Sequence, residues 1–373
     1  MYYTFFKQTK QIQQKDFLNL DINNTDNAYK SITLNIKTPI SSLLLKTKQN
    51  KYIQNTATAI QTCYMHLFPF KNTYMNEYYK FFIPKRNHKL REINAPNNDF
   101  KEALTIVKDI FQNTIKCLPH SAAHAYVPTL STSSALEKHQ KNNSRWFLKM
   151  DLKDFFPSCT PQLVYNKLIQ LFPFYYLKQN EKELLKEIIQ ITSLNNGMPQ
   201  GSPFSPYITN LVMVDIDYKI TKLLSEYPQE HFTYTRYADD LLISSPISFC
   251  WSEIQDKIKK ILEPHFQINT EKTRYGSNAG SNWNLGLMLN KDNNITLGHI
   301  KKRNLNAMLN NFFTAYQNGE PWCVSDTQVL QGQLSYLAHI EEAYYNYIIK
   351  KYEKKFKLNY HNVLSEILNP IKL

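Results

Sequence analysis

Glycine and cysteine are both scarce in this chain, and no part of it is apolar over a long run. Eight glycines among 373 residues argue against a collagen-like protein, a glycine-loop nucleotide-binding protein or a flexible linker. No stretch approaches the roughly 18 consecutive apolar residues of a membrane span, and residues 1–10 lack the basic-then-apolar order of a signal peptide. We therefore expect a protein that has no membrane partner and resides in the cytoplasm.

The cysteines are odd in number and widely scattered, and no two of them form a C-x-x-C pair. The five are Cys63, Cys117, Cys159, Cys250 and Cys323. This usage is typical of a reducing compartment and offers no zinc site.

Basic residues outnumber acidic ones, 44 against 31, which gives a formal net charge of +13. An excess of this size favours a polyanionic partner, and nucleic acid is the usual one. A Lys- and Asn-rich composition inherited from an AT-biased genome would give the same sum, so charge alone leaves both interpretations open. The apolar fraction of 42% supports a sizeable core and excludes wholesale disorder.

Hydrophobic periodicity predicts short strands alternating with helices from about residue 76 onward. Residues 1–75 are expected to be mostly helical, and three helices are expected from residue 299 to residue 368. Between these ends the predicted strands are 78–83, 89–93, 146–152, 233–236, 241–244, 285–289 and 294–297. The predicted helices there end at residue 115 or span 160–171, 181–192, 206–224 and 254–262.

Three aspartates stand where predicted strands end. Asp151 closes one strand, and Asp239 with Asp240 occupies the tip of a hairpin. If these strands are neighbours in one sheet, three carboxylates meet at one edge. Mg²⁺ prefers oxygen ligands and is commonly held by one or two carboxylates plus substrate phosphates, and a pair of such ions suits phosphoryl transfer. Taken alone, the two consecutive aspartates are also typical of a solvated turn.

Six strings, in order from about residue 78 to 310, carry a resemblance to a known family. They are Phe81–Lys85 with Arg91–Pro96, Leu148–Ser158, Gly197–Pro206, Tyr234–Asp240, Asn269–Thr273 and Asn284–Asn290. Together they resemble the reverse transcriptases of bacterial retroelements, which include retrons, group II introns and reverse-transcriptase-like proteins of phage defence. Because six strings appear in family order, the likeness is far more specific than any single motif.

The resemblance implies an α+β right-hand polymerase with fingers, a palm built on an antiparallel sheet and a helical thumb. The implied domains are an N-terminal helical extension at 1–75, fingers at 76–145, a palm with finger insertions at 146–298 and a helical thumb at 299–373. Lys301-Lys302-Arg303 and Gln331–Leu337 match the basic, helical pattern of such a thumb. This surface would follow a duplex backbone regardless of base sequence, and a solvated helical face is the alternative.

The resemblance also implies a metal site. Asp151, Asp239 and Asp240 correspond to the catalytic metal-binding carboxylates of the family, with the backbone carbonyl of Leu152 as a further ligand. Two Mg²⁺ ions are implied, with Mn²⁺ as a substitute. Lys272 corresponds to a lysine proposed to protonate the pyrophosphate leaving group, and an exposed helix-end lysine is the alternative.

The incoming nucleotide is expected to contact two further groups. Lys85 and Arg91 fall where the finger hairpin of the family grips the triphosphate, although either could be a solvated surface charge. The backbone N–H groups of Asp154, Phe155 and Phe156 are expected to bind the β- and γ-phosphates.

Three more positions follow from the resemblance. The ring of Phe156 corresponds to the one that blocks a ribose 2′-hydroxyl, which predicts a preference for deoxynucleotides and is compatible with a place in the core. Gln200 and Gly201 resemble the residues that pack against the templating base and the nucleotide sugar, where glycine permits close backbone approach. Tyr237 is expected beside the primer terminus, with a sheet-packing aromatic as the alternative.

Two strings depart from the retron pattern. Retron enzymes carry Asn-Ala-x-x-His before the first catalytic aspartate and Val-Thr-Gly after the hairpin. The nearest matches here are Ser134–His139, with one residue too many, and Asn284–Gly286. No Cys/His cluster follows the thumb, so the nuclease and zinc modules of many intron proteins are not expected. The lineage among bacterial reverse transcriptases stays open.

The expected function is RNA-directed DNA synthesis, in which a 3′-hydroxyl is extended with dNTPs by two-metal nucleotidyl transfer. The expected partners are an RNA template, the DNA product, dNTPs and an effector protein. The template is expected to be a dedicated non-coding RNA of a retron-like or antiphage defence system. The alternatives are an untemplated or protein-primed DNA polymerase of an abortive-infection system, and a non-catalytic RNA-binding splicing cofactor. Three uncompensated carboxylates argue against the cofactor, because they would repel RNA unless metal binds.

Overall fold

The computed structural model describes residues 39–84, 90–279, 283 and 286–369. The chain divides into two compact units, Met1–Thr58 and Ala59–Leu373. Helix α1 (Pro39–Leu67) is the first described element, so most of the predicted helical extension lies outside the described residues. The predicted division into fingers, palm and thumb at residues 76, 146 and 299 stays a prediction.

Twelve further α-helices and nine strands follow in the described chain, together with short 3-10 and π helices and loops. The helices are α2 (Asn98–Ile110), α3 (Thr132–Lys141), α4 (Phe155–Ser158), α5 (Pro161–Leu168), α6 (Gln179–Ile191), α7 (Ser205–Val212), α8 (Val214–Ser225), α9 (Trp251–Leu262), α10 (His299–Gln317), α11 (Val324–Ile340), α12 (Glu342–Phe356) and α13 (Tyr360–Leu368). The strands are β1 (Tyr78–Pro84), β2 (Leu90–Pro96), β3 (Trp146–Lys153), β4 (Thr233–Tyr237), β5 (Asp240–Ser245), β6 (Gln267–Ile268), β7 (Arg274–Ser277), β8 (Met288–Leu289) and β9 (Ile295–Thr296).

The central sheet has five strands and is antiparallel. Its order is β4-β5-β3-β6, and β7 also pairs with β3. Strand β3 is buried along most of its length, because it has neighbours on both edges. Strands β1 and β2 form a separate antiparallel hairpin, as predicted, and the α+β class is confirmed.

Several helices begin where short polar side chains can cap them. The Asn97 side chain accepts a hydrogen bond from the Phe100 N–H and starts α2. Thr160 does the same for the Leu163 N–H at the start of α5, where Pro161 takes the first helical position. These caps satisfy N–H groups that have no partner inside the helix.

We call β1 and β2 the fingers hairpin, the five-stranded sheet with α3–α9 the palm, and α10–α13 the thumb. The thumb packs around a buried apolar cluster that continues into the palm through Phe147, Leu242 and Trp283. The rings of Phe147 and Trp283 are stacked with centroids 5.3 Å apart. Thumb and palm therefore share one hydrophobic core.

Three expectations about the elements were wrong. The thumb has four helices instead of three, with breaks that include Gly319 and Lys357, both at positive φ. The predicted helix at 206–224 is two helices that meet at Met213. Strands β6 and β7 were missed because they are only two and four residues long, too short to show alternation.

In the described segments, none of the helices combines the length and the apolar character needed to cross a membrane.

Candidate active site

The tip of the β4–β5 hairpin carries two of the predicted carboxylates. Tyr237 and Asp240 are Cα partners, so Ala238 and Asp239 form a two-residue turn between the strands. Ala238 has φ +57°, a left-handed conformation that is uncommon for a residue other than glycine. The turn therefore depends on surrounding contacts to hold its shape.

Strand β3 brings the third carboxylate to the same corner. The Cα partner of Asp151 is Asp240, and the Leu152 N–H donates a hydrogen bond to the Asp239 carbonyl at 3.0 Å. Asp151 is buried, and its two partners are half-buried. The structure thus brings together Asp151, Asp239 and Asp240, with the backbone of Leu152 beside them.

The three acids influence one another electrostatically. Burial raises the pKa of Asp239 to about 6, and the charges of Asp240 and Asp151 add to this rise. Two lysines offset the negative charge: Lys149 Nζ lies 2.8 Å from Asp240 Oδ2, and Lys272 Nζ lies 2.8 Å from Asp151 Oδ1. A cation placed among these oxygens would relieve the repulsion.

The donor set fits a divalent metal in chemistry, although it is not a preassembled cage. Among the residues that the structure describes, no three His, Cys, Asp or Glu side chains form a ready-made metal site. The carboxylates of Asp151 and Asp240 are instead paired with lysines. Carboxylate oxygens are nonetheless the ligand type that Mg²⁺ prefers, and it often needs only one or two of them besides substrate phosphates.

A cavity of about 320 Å³ opens beside the carboxylates and holds more basic than acidic side chains. Its lining is Lys149, Asp151, Asp240, Lys272 and Arg274. Burial favours a lower pKa for Lys272, but the hydrogen bond and charge of Asp151 outweigh it and the pKa lies above the usual value. This direction is opposite to the one that a proton donor needs, and the role of Lys272 stays a prediction.

A buried ion pair contacts the turn of the β4–β5 hairpin. The side chains of Arg236 and Asp217 are fully buried, with Nη2 2.8 Å from Oδ2. Arg236 Nη1 also donates to Asn210 Oδ1 at 3.0 Å and to the Ala238 carbonyl at 3.1 Å. The Tyr234 hydroxyl donates to Asp217 Oδ1 at 2.7 Å. Arg236 therefore links the strained turn at Ala238 to helix α8, which carries Asp217.

The same arginine joins the hairpin to the segment before α3. The backbone N–H of Arg236 donates to the Ala122 carbonyl at 2.7 Å, and the backbone carbonyl of Arg236 accepts from the His124 N–H at 2.9 Å. Asn210 Nδ2 donates to the Ala125 carbonyl at 2.7 Å. The turn that presents Asp239 is therefore held from three parts of the chain.

A second buried network crosses between β4 and β5. His139 of α3 is fully buried, with Nε2 2.7 Å from Thr235 Oγ1 and Nδ1 2.5 Å from Ser244 Oγ. Burial lowers the pKa of His139 to about 3, so the ring is neutral at physiological pH. The histidine links the two strands of the carboxylate hairpin.

The predicted phosphate-binding turn opens helix α4. Asp154 precedes the helix with φ +47°, Phe155 is buried and Phe156 is half-buried. First-turn N–H groups have no partner within a helix. The Phe156 carbonyl accepts from the Met198 N–H at 3.0 Å, which attaches this turn to the loop that carries Gln200 and Gly201.

The loop that carries Gln200 and Gly201 also contacts the fingers hairpin. The Gln200 carbonyl accepts from the Asn94 N–H at 2.8 Å. Gly201 has φ +122°, and a Cβ there would lie 2.7 Å from the Asn94 carbonyl oxygen. The backbone of Gly201 is thus closely approached, and the group that approaches it is the backbone of strand β2. Arg91 lies exposed on β2, and Lys85 lies outside the described residues.

Sequence reasoning missed several residues of this site. Lys149 could have been found, since it lies two residues before Asp151 on one strand and so shares its face. Tyr126 has its pKa raised by burial and then by the charge of Asp239, while Arg91 opposes the rise, so it lies near both. No signal in the sequence pairs Asp217 with Arg236.

Carboxylates at a hairpin tip in an antiparallel palm, with a basic cavity beside them and a helical thumb, define a right-hand polymerase. Residues 83–311 match the family model described as reverse transcriptase (RNA-dependent DNA polymerase). The chain belongs to the reverse transcriptase family. Members of this family copy an RNA template into DNA and use divalent metals, so this chain is an RNA-directed DNA polymerase with an RNA partner.

Two curated relatives illustrate the match. The Retron Ec73 reverse transcriptase of Escherichia coli is 30% identical over 296 residues, which cover 76% of this chain and 90% of the relative. The Retron Ec83 reverse transcriptase of Escherichia coli is 30% identical over 285 residues, which cover 74% of this chain and 87% of the relative. These matches do not favour the splicing cofactor or the untemplated polymerase.

Among solved structures, telomerase from Candida albicans in complex with a fragment of telomeric RNA overlaps with a TM-score of 0.42 at 14% identity. The overlap covers 78% of this chain and 63% of that one, which is less than two thirds of the telomerase.

Proposed function

We propose that Asp151, Asp239 and Asp240 are the catalytic carboxylates of this reverse transcriptase and hold two Mg²⁺ ions, for which Mn²⁺ can substitute. The observation that carries the proposal is the register of β3 with β5, which sets Asp151 opposite Asp240 and Leu152 against Asp239. Metal bound there supplies activation of the 3′-hydroxyl and neutralisation of phosphate charge.

The remaining predicted residues arrange the substrates around this corner. Arg91 and Lys85 would contact the triphosphate from the fingers hairpin, and the N–H groups of Asp154, Phe155 and Phe156 would bind its outer phosphates. The Phe156 ring would exclude a ribose 2′-hydroxyl. Gln200 and Gly201 would support the template base and sugar, Tyr237 the primer end, and Lys272 the leaving pyrophosphate. The basic cavity beside the carboxylates supports this arrangement.

Primer extension on an RNA template tests the catalytic proposal. Asp239→Asn keeps the size of the side chain but removes its charge, so we expect a loss of extension on the order of 10³-fold. Asp256→Asn is the matched control, since Asp256 is an exposed aspartate of palm helix α9, and it should retain wild-type extension. Equal extension by wild type and Asp239→Asn would reject the proposal.

We further propose that the template is a dedicated structured non-coding RNA, as in a retron-like or antiphage system, with an effector protein as a further partner. The similarity to bacterial retron reverse transcriptases supports this. All five cysteines are free thiols, which supports a cytoplasmic location because that compartment is reducing.

Sequencing the nucleic acid that co-purifies with the chain tests the partner. One RNA species should dominate in both wild type and Asp239→Asn, while complementary DNA should appear with wild type alone. A random RNA population would contradict the dedicated template. DNA attached to a Tyr or Ser side chain would indicate protein priming.

A further inference from the structure

Lys149 is the most confined of the three cations beside the candidate metal site. It lies on β3 two residues before Asp151, and its side chain is 15% exposed. Its ammonium is 2.8 Å from Asp240 Oδ2, and the Asp240 side chain is 16% exposed. The other two cations are more exposed: the Lys272 side chain is 60% exposed, and Arg274 is also exposed.

The position of Lys149 in the sheet explains why it needs an anion. Its Cα partner on β7 is Arg274, and like charges directly opposite one another are destabilising. Its Cα partner on β5 is Leu242, two residues beyond Asp240. The ammonium therefore reaches diagonally across the sheet to the carboxylate, at the separation where long side chains still meet.

We propose that Lys149 is a built-in counter-ion that occupies Asp240 in the metal-free enzyme and must release it when a divalent metal binds. The inference rests on the proposed metal site. In the absence of metal, three carboxylates in one corner repel one another, and Lys149 stabilises the folded hairpin by neutralising one of them. The same contact lowers the affinity for metal, because a metal ion must displace the lysine and then bind beside its charge.

Lys149 as a counter-ion would have two separable effects, whereas a purely structural salt bridge would have one. Removing the ammonium should lower the stability of the metal-free protein, because Asp240 loses its partner. It should also strengthen metal binding, because nothing competes for the carboxylate oxygens. A lysine that only braced the fold would give the first effect without the second.

Calorimetric titration of Mn²⁺ into the full chain tests this, with wild type, Lys149→Met and Lys153→Met compared. Lys153 is the matched control, because it is an exposed lysine on the same strand, two residues beyond Asp151. We expect Lys149→Met to bind Mn²⁺ about tenfold more tightly, and Lys153→Met to stay within about twofold of wild type. Lys149→Gln provides a second neutral variant should the methionine variant fold poorly.

Thermal melting supplies an independent readout. Without metal, Lys149→Met should melt below wild type, and Mn²⁺ should raise its melting temperature by more than it raises that of wild type. Unchanged or weaker Mn²⁺ affinity in Lys149→Met and Lys149→Gln would reject the role of Lys149 as a counter-ion and would leave the proposed metal site standing. If Asp240→Asn binds Mn²⁺ as wild type does, the metal site itself is wrong, and the counter-ion falls with it.

Discussion

The carboxylate hairpin of the palm and the thumb are held by different kinds of interaction. Beneath the hairpin, Arg236 is fully buried and makes directed bonds to Asp217, Asn210 and the turn itself. The thumb is held mainly by apolar side chains such as Phe312 and Leu334. Apolar packing is non-directional and tolerates changes that conserve volume, whereas a hydrogen-bonded ion pair fixes orientation. The directed bonds therefore lie next to the proposed catalytic carboxylates, and the non-directional packing lies in the thumb.

The largest expected effect comes from a substitution that keeps the shape and removes the charge. Asp217→Asn leaves the guanidinium of Arg236 buried without a counter-charge, and should lower the free energy of unfolding by about 3–5 kcal/mol. Chemical denaturation measures this. In the thumb, the volume-conserving change Leu334→Met should cost less than about 1.5 kcal/mol. Equal costs for the two variants would remove the distinction between the regions.

A double variant separates stability from positioning. Asp217→Leu combined with Arg236→Met replaces the ion pair with apolar side chains and should recover part of the lost stability, because no buried charge is left unpaired although Tyr234 and Asn210 each lose a hydrogen bond. Primer extension should stay low, because the bond from Arg236 to the Ala238 carbonyl is lost. Recovery of extension together with stability would show that the arginine does not position the turn.

Acid should destabilise the palm through its buried histidines. Because burial lowers the pKa of His139 to about 3 from an unfolded value near 6.5, the unfolded state binds the proton first. The contribution of His139 to stability is full above pH 6.5 and is lost as the pH falls toward 3, by about 2 kcal/mol at pH 5. The pKa of neighbouring His124 is also lowered by burial, to about 4, and adds in the same direction.

Denaturation at pH 7 and pH 5 checks this prediction. His139→Gln should reduce the difference in stability between the two pH values by about 2 kcal/mol, while changing the exposed His361 of the thumb to Gln should leave it as in wild type. An unchanged difference in His139→Gln would place the acid sensitivity elsewhere.

The smallest expected change in stability comes from substituting alanine for two glycines, one in the palm and one in the thumb. Gly201→Ala puts a Cβ against the Asn94 carbonyl at positive φ and should cost about 1–3 kcal/mol and slow primer extension. Gly332 lies in thumb helix α11 with open space around its Cβ position, so Gly332→Ala should be neutral or stabilising by up to about 1 kcal/mol. Similar thermal shifts for both variants would contradict the close contact at Gly201.

Much of the site was predictable because its chemistry is concentrated in short strings. The carboxylates at the ends of β3 and at the β4–β5 tip were found from strand patterning and the order of the six strings. The Lys149–Asp240 pair was missed although Lys149 lies within such a string, because alternation indicates a face but no partner. The fourth thumb helix was missed because the break between α12 and α13, at Lys357, contains neither glycine nor proline.

The sequence by itself determined which residue types stand at the ends of strands, the order of the family strings and the excess of positive charge. The tertiary structure alone decided that β3 lies between β5 and β7 with Asp151 opposite Asp240. A slip of one residue in that register would turn Asp151 to the other face of the sheet. In that register, residues far apart in the chain contact each other, such as Lys149 with Asp240 and the Leu152 N–H with the Asp239 carbonyl. These form only when the palm packs, so no local pattern encodes them.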